Sequence, residues 1–214
     1  MAERRRRGSV AALPYAAGMP PPSPSSAPRV GAAHARLRSA TAHLHAGVDD
    51  LFANGLDSVP RYRRYVLGMH RFAAEYEIAV AAAPRHSAWL AGDLASLSLS
   101  PLPPEGERRP ASGAAARLGW RYVMAGSSMG ARRLLRDARQ LGYDDSSGAT
   151  FLAQHAASDE WGRLRDRLQA MDADDETRMA EAETGACAAF ALVRSCFARS
   201  FERIPATPAH EPCR

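Results

Sequence analysis

Two glycines, Gly126 and Gly130, stand one helical turn apart in a stretch that otherwise reads as one long helix, from about residue 113 to 141. The segment is Tyr122-Val-Met-Ala-Gly126-Ser-Ser-Met-Gly130. Each glycine costs a helix about 1 kcal/mol relative to alanine. At spacing i, i+4 the two share a face, which leaves a strip of bare peptide backbone. Such a strip suits either a second helix crossing closely, where small-xxx-small spacing is common, or a flat object laid on the peptide groups.

The rest of the chain reads as helix from residue 31 onward. Leu37, Thr41, Leu44, Val48 and Leu51 recur at alternating spacings of four and three, an amphipathic stripe, and Gly55 stops it. Ser58 is placed as an N-cap ahead of Pro60, and Tyr62, Tyr65, Met69, Phe72 and Tyr76 line one face of the helix that follows. Pro84 opens a third helix to about Leu97, and residues 98–112 form a loop rich in proline and serine. After the glycine helix comes Gly142 as its C′ residue. Ser146 or Ser147 caps a short helix to about Ala156, and Ser158-Asp-Glu-Trp161 starts another. The last runs from about Asp174 to Phe201, with Cys187, Phe190, Arg194, Phe197 and Phe201 on one stripe. No segment alternates with period two, and there is no internal repeat. The predicted fold class is all-α: a single domain of seven or eight helices over residues 31–204. Residues 1–30, rich in Arg, Pro, Ser and Ala, are predicted to be a disordered tail, and 205–214 a frayed terminus.

Charge and composition exclude several roles. The net charge is +5, but the first 30 residues hold five arginines against Glu3. The remaining 184 carry 23 arginines against 22 carboxylates, so the basic footprint belongs to the tail and no nucleic-acid partner is expected. No run approaches the roughly 20 apolar residues of a membrane span, so no membrane role is expected. Cys187 and Cys196 lie about 13 Å apart along one helix, too far for a disulfide. Reduced thiols suggest a cytoplasmic protein.

His45 lies beside the buried stripe of the first helix, between Leu44 and Val48. His43, two residues earlier, points elsewhere, and His70 sits at the edge of the second helix's apolar face. A lone histidine is more often a core or surface residue than a ligand. A histidine helix on one side and a glycine helix on the other nevertheless form a way to sandwich a heme, whose iron takes a neutral imidazole nitrogen while an acceptor fixes the other. The sequence does not identify that acceptor.

Leu37, Arg38, Thr41, Leu44, His45, Val48 and Asp49, with Tyr122, Gly126, Ser127 and Gly130, make the chain resemble the heme oxygenases over residues 34–203. The likeness is to the bacterial biliverdin-producing branch associated with bacteriophytochromes or iron acquisition. The resemblance implies a multi-helix heme oxygenase-like fold with His45 as proximal iron ligand. It implies that Gly126 and Gly130 let the distal helix approach the heme face, with Ser127 near bound oxygen. Arg38, two turns before His45, and the Tyr122 hydroxyl would meet the heme propionates. Ser127 stands where animal-type enzymes carry aspartate, so the proton route stays open. Phe190, Arg194 and Phe197 are read as core.

The activity implied is oxidative opening of heme b, as cofactor and substrate, to biliverdin, CO and free iron. It consumes O2 and takes electrons from an external donor such as ferredoxin or a reductase, because nothing in the chain resembles a flavin or nicotinamide site. A bacteriophytochrome is a candidate product acceptor. Two other readings are a non-catalytic heme carrier or sensor, and a helical interaction protein in which the glycines merely pack.

Overall fold

The structure is a computed structural model that describes residues 31–107 and 109–204. The predicted tail, 1–30, and the predicted C-terminal fray, 205–214, lie outside the described residues. Seven α-helices follow in order: α1 Ala32–Asp49, α2 Val59–Ala79, α3 His86–Ser96, α4 Ala114–Gln140, α5 Thr150–Ala157, α6 Glu160–Gln169 and α7 Glu176–Arg203. A single 3-10 turn, Asp50–Phe52, extends α1 and carries Leu51 of the predicted stripe. Among the described residues there is no strand, only one isolated bridge between Asp144 and Gly148. The all-α expectation is met.

The long helices α4 and α7 form the spine, and α7 also carries α1 and α2. Their contact explains which glycines serve packing. A Cβ at Gly119 would run into the Ala182 carbonyl, and one at Gly185 into the Ala116 carbonyl. The two backbones touch there, with Ala182, Ala186 and Ala189 fully buried alongside. The predicted aromatic face of α2 is the core itself: Tyr62, Tyr65, Met69, Phe72 and Tyr76 are all buried.

Several helix ends differ from the sequence expectation, for one recurring reason. Neither Ser146 nor Ser147 caps α5. Both backbone N–H groups instead go to Asp144 Oδ1, at 2.9 Å each, and the helix begins at Thr150. The N–H groups of Thr150 and Phe151 are taken by the buried Asp93 carboxylate of α3, at 2.8 and 2.9 Å. Likewise α3 starts at His86 rather than Pro84, because Glu77 Oε1 of α2 accepts from the N–H groups of Arg85, His86 and Ser87. Carboxylates borrowed from neighbouring helices satisfy these orphan donors, for α5 in place of the expected Ser146 or Ser147. Ser58 makes no side-chain cap bond, although Pro60 does sit in the first turn of α2. Gly55 and Gly142 end their helices in the left-handed region, at φ +73° and +88°, as expected of stop residues.

Candidate functional site

On α1, His45 is exposed. Its ring lies edge-on to Phe190 of α7, centroids 5.7 Å apart, and its Nδ1 meets Asp49 Oδ2 at 2.9 Å. Asp49 lies one turn further on the same helix, so the acceptor missing from the sequence reading is local. With Nδ1–H donated to a carboxylate, Nε2 keeps its lone pair for a metal. This is the tautomer that heme ligation needs.

Arg38 is also exposed, and among the described residues it forms no ion pair. Its neighbour Arg36 behaves differently: it clamps α1 to α7 through Glu176 at 2.7 Å and Glu183 at 3.2 Å. Arg38 is instead felt electrostatically by Tyr122 of α4. Burial raises the Tyr122 phenol pKa, while the Thr41 hydroxyl and the Arg38 charge pull it back. Thr41 is buried and donates its own hydrogen to the Leu37 carbonyl at 2.7 Å. Arg38, Thr41 and Tyr122 form one corner between α1 and α4.

His34 and Trp161 of α6 complete that corner. The His34 ring lies 6.0 Å from Tyr122 and 5.3 Å from Trp161. Neither residue was singled out in the sequence. Both lie among alanines and charged residues, where no periodic signal marks them.

Gly126 and Gly130 follow on α4, and among the described residues no backbone lies against them. A Cβ at Gly126 would meet only Trp161, at 3.9 Å, and one at Gly130 nothing within 4 Å. Met129 beside them is 63% exposed. The close-crossing role belongs to Gly119 and Gly185; the strip at Gly126 and Gly130 is open. Ser127 is exposed too. Its hydroxyl donates to the Met124 carbonyl at 2.8 Å and hydrogen-bonds Nε2 of the buried His155 at 2.9 Å. Burial, then the nearby His86 and Arg85, lower the His155 pKa to about 4, although the Met124 carbonyl opposes this. His155 is neutral at physiological pH.

The structure thus brings Arg38 and Tyr122 to one corner. No His45 atom lies within 4 Å of a Cβ position at Gly126 or Gly130. Ser127 is joined to His155 rather than to any α1 residue. Phe190 and Phe197 are buried as expected, whereas Arg194 is exposed, its side chain 3.8 Å from a Cβ position at Gly47. His70 is half-buried and its pKa is lowered, by burial first and the Arg71 charge second. The chemistry of the donor set fits a heme: one imidazole with a free Nε2, an exposed guanidinium and a phenol for carboxylates, and a side-chain-free helix face.

The heme oxygenase family model matches residues 85–199, from the start of α3 through most of α7. The match contains Tyr122, Gly126, Ser127 and Gly130, while α1 with His45 lies before it. Among solved structures, the fold is similar to a heme oxygenase from Neisseria meningitidis, determined with NO and CO bound. The TM-score is 0.63 and the identity 22%, over 84% of this chain and 96% of that one. No curated protein sequence matches. The family match spans more than half of the chain, so this protein belongs to the heme oxygenase family and is a heme-degrading oxidoreductase.

Proposed function

We propose that the protein opens heme b to biliverdin, CO and free iron in the cytoplasm, with O2 and with electrons from a ferredoxin or reductase. The observation that carries this reading is the open glycine strip. Two helix-weakening residues are kept where, among the described residues, no backbone packs, while the close crossing of α4 and α7 uses other glycines. A flat ligand accounts for both penalties.

Heme supplies the iron at which oxygen is activated and the ring that is cut. The chain's own residues do the rest. His45 offers Nε2, with Asp49 holding the tautomer. Arg38 and Tyr122 are placed to orient the propionates, since an exposed arginine can pair bidentately with a carboxylate. Gly126 and Gly130 let the ring approach the peptide spine and press on its far face. Ser127, anchored by His155, supplies a fixed hydroxyl beside that spine. A bacteriophytochrome is the proposed acceptor of the product in a chromophore-supply role.

One experiment separates this from a heme carrier. Hemin added to the protein should give the Soret band of an imidazole-ligated heme, and His45→Ala should abolish it. A reductant system and O2 should then turn the complex green. Intact heme after that treatment would leave a carrier or sensor, and a protein that stays colourless with hemin would leave a cofactor-free helical protein.

A further inference from the structure

Behind the glycine helix lies a second cluster. His86 opens α3, His155 sits near the end of α5, and Glu160 opens α6. One ligand atom from each lies within 4.8 Å of the other two. The histidines are 4% and 1% exposed, so this is a built interior feature rather than a surface coincidence.

Each imidazole is held from behind by one nitrogen. The Glu77 carboxylate lies 3.6 Å from His86 Nδ1. Burial pushes the Glu77 pKa up, but hydrogen bonds from His86, Ser87 and nearby backbone outweigh it and hold the pKa at about 2, so the group is anionic. Ser127 holds His155 Nε2. Because the Ser127 hydrogen goes to Met124, His155 Nε2 must be the donor, which leaves Nδ1 as a bare lone pair. That Nδ1 is buried and has no hydrogen-bond partner. A buried polar atom left unpaired is costly and wants a cause.

The outer side of the cluster already attracts a cation. His86 Nε2 lies 3.0 Å from Glu160 Oε1, and the Arg85 guanidinium, 3.2 Å from the same nitrogen, pairs with the same oxygen. The Arg85 side chain is 50% exposed, so it is free to swing out.

We propose that His86, His155 and Glu160 form a site for a divalent first-row metal ion, which enters by displacing the Arg85 guanidinium. Two imidazoles and one carboxylate suit Fe2+, Co2+ or Zn2+. Metal–ligand distances of about 2.0–2.2 Å require the three atoms to close to roughly 3.3 Å, a contraction within reach of side-chain rotation. Glu77 and Ser127 supply the outer hydrogen bonds that orient metal-bound imidazoles. Glu160 and Arg85 also line a pocket of about 170 Å³, together with Tyr76, Arg121, Arg163 and Arg167. These arginines oppose a bare dication and favour one carrying an anionic ligand, so the site is exchangeable rather than a permanent structural centre. Ferrous iron, freed when heme is opened, is the natural occupant; only that identity rests on the heme-degrading reading.

The test uses heme-free full-length protein titrated anaerobically with Co2+, read by ligand-field absorption. One Co2+ per chain is expected, with the intense bands of a four- or five-coordinate ion. Glu160→Gln and His155→Ala should each weaken binding at least about tenfold. Arg85→Ala should tighten it several-fold by removing the competing cation, and His45→Ala should leave it unchanged. Glu160→Gln and Arg85→Ala alter side chains nearer the surface and keep the test decisive should His155→Ala not fold. No bands, or bands that survive Glu160→Gln, overturn the site. A Soret measurement on a parallel sample keeps the two readings apart. Heme binding without cobalt binding defeats the metal site alone, and cobalt binding without a Soret defeats the heme reading alone.

Discussion

At the scale of single residues, the informative side chains are those whose partners come from elsewhere. Glu77 is 3% exposed, yet its pKa is about 2 because four hydrogen bonds converge on the charged form. A carboxyl group whose folded pKa is depressed adds stability above its unfolded pKa and loses it as pH falls through the folded value. Glu77 should thus contribute roughly 3 kcal/mol near neutrality, lost between about pH 4.5 and 2. His155 adds to the same trend at higher pH. Buried and neutral with a pKa of about 4, it resists the proton that an unfolded imidazole takes up below about pH 6.5. Glu77→Gln should lower stability at pH 7 and flatten the acid limb of the curve, as measured by urea unfolding from pH 7 to 2. An unchanged acid limb would remove Glu77 from the account. His45 shows what one sequence can hide and reveal together: the proposed ligand stands beside its stripe, and Asp49 is present in the motif. That Asp49 is the tautomer-fixing partner needed the i, i+4 geometry.

At the scale of helices, the four glycines of the α4–α7 region divide into two kinds, and substitution should separate them. Gly119→Ala forces a methyl group against the Ala182 carbonyl and should destabilise by about 1–3 kcal/mol or more. Gly130→Ala meets open space and should gain up to about 1 kcal/mol of helix propensity. The same Gly130→Ala change should nevertheless weaken hemin binding or slow its turnover. Thermal unfolding with hemin titration on both variants checks the pair. Equal stability losses would mean that the two glycine sets serve the same packing role. Sequence alone ranked Gly126 and Gly130 because they sit in one motif. It passed over Gly119 and Gly185, which are distant in sequence and matter only once α4 meets α7.

At the scale of the whole molecule, α1 is fastened mainly to α7, and its link to α4 is the corner of Arg38, Thr41 and Tyr122. A heme held by His45 on one side and the α4 spine on the other would bridge the two helices. Hemin should therefore raise the unfolding temperature in a concentration-dependent way, since a ligand bound only to the folded state stabilises by mass action. Amide exchange should slow most in α1 and in the Gly126–Gly130 turn. Protection confined to other helices would place the heme elsewhere.

Much of the architecture followed from local pattern. Helix number, order and type follow from apolar periods of three and four, and the stop residues Gly55 and Gly142 act within their own turn, so each signal sits in one stretch of chain. The proposed site residues on α4 stood out likewise, because an unexplained glycine pair is a local anomaly. What tertiary structure alone decided are matters of convergence. The Asp93 carboxylate, rather than Ser146 or Ser147, closes the start of α5, and the Glu77 carboxylate closes the start of α3. The spine crosses at Gly119 and Gly185 and leaves Gly126 and Gly130 bare. His86, His155 and Glu160, spread over 75 residues of sequence, meet in one wall. Periodicity encodes which face of a helix is apolar. It carries no record of which distant charge, carbonyl or imidazole that face will find, because those pairings are chosen by packing after the helices exist.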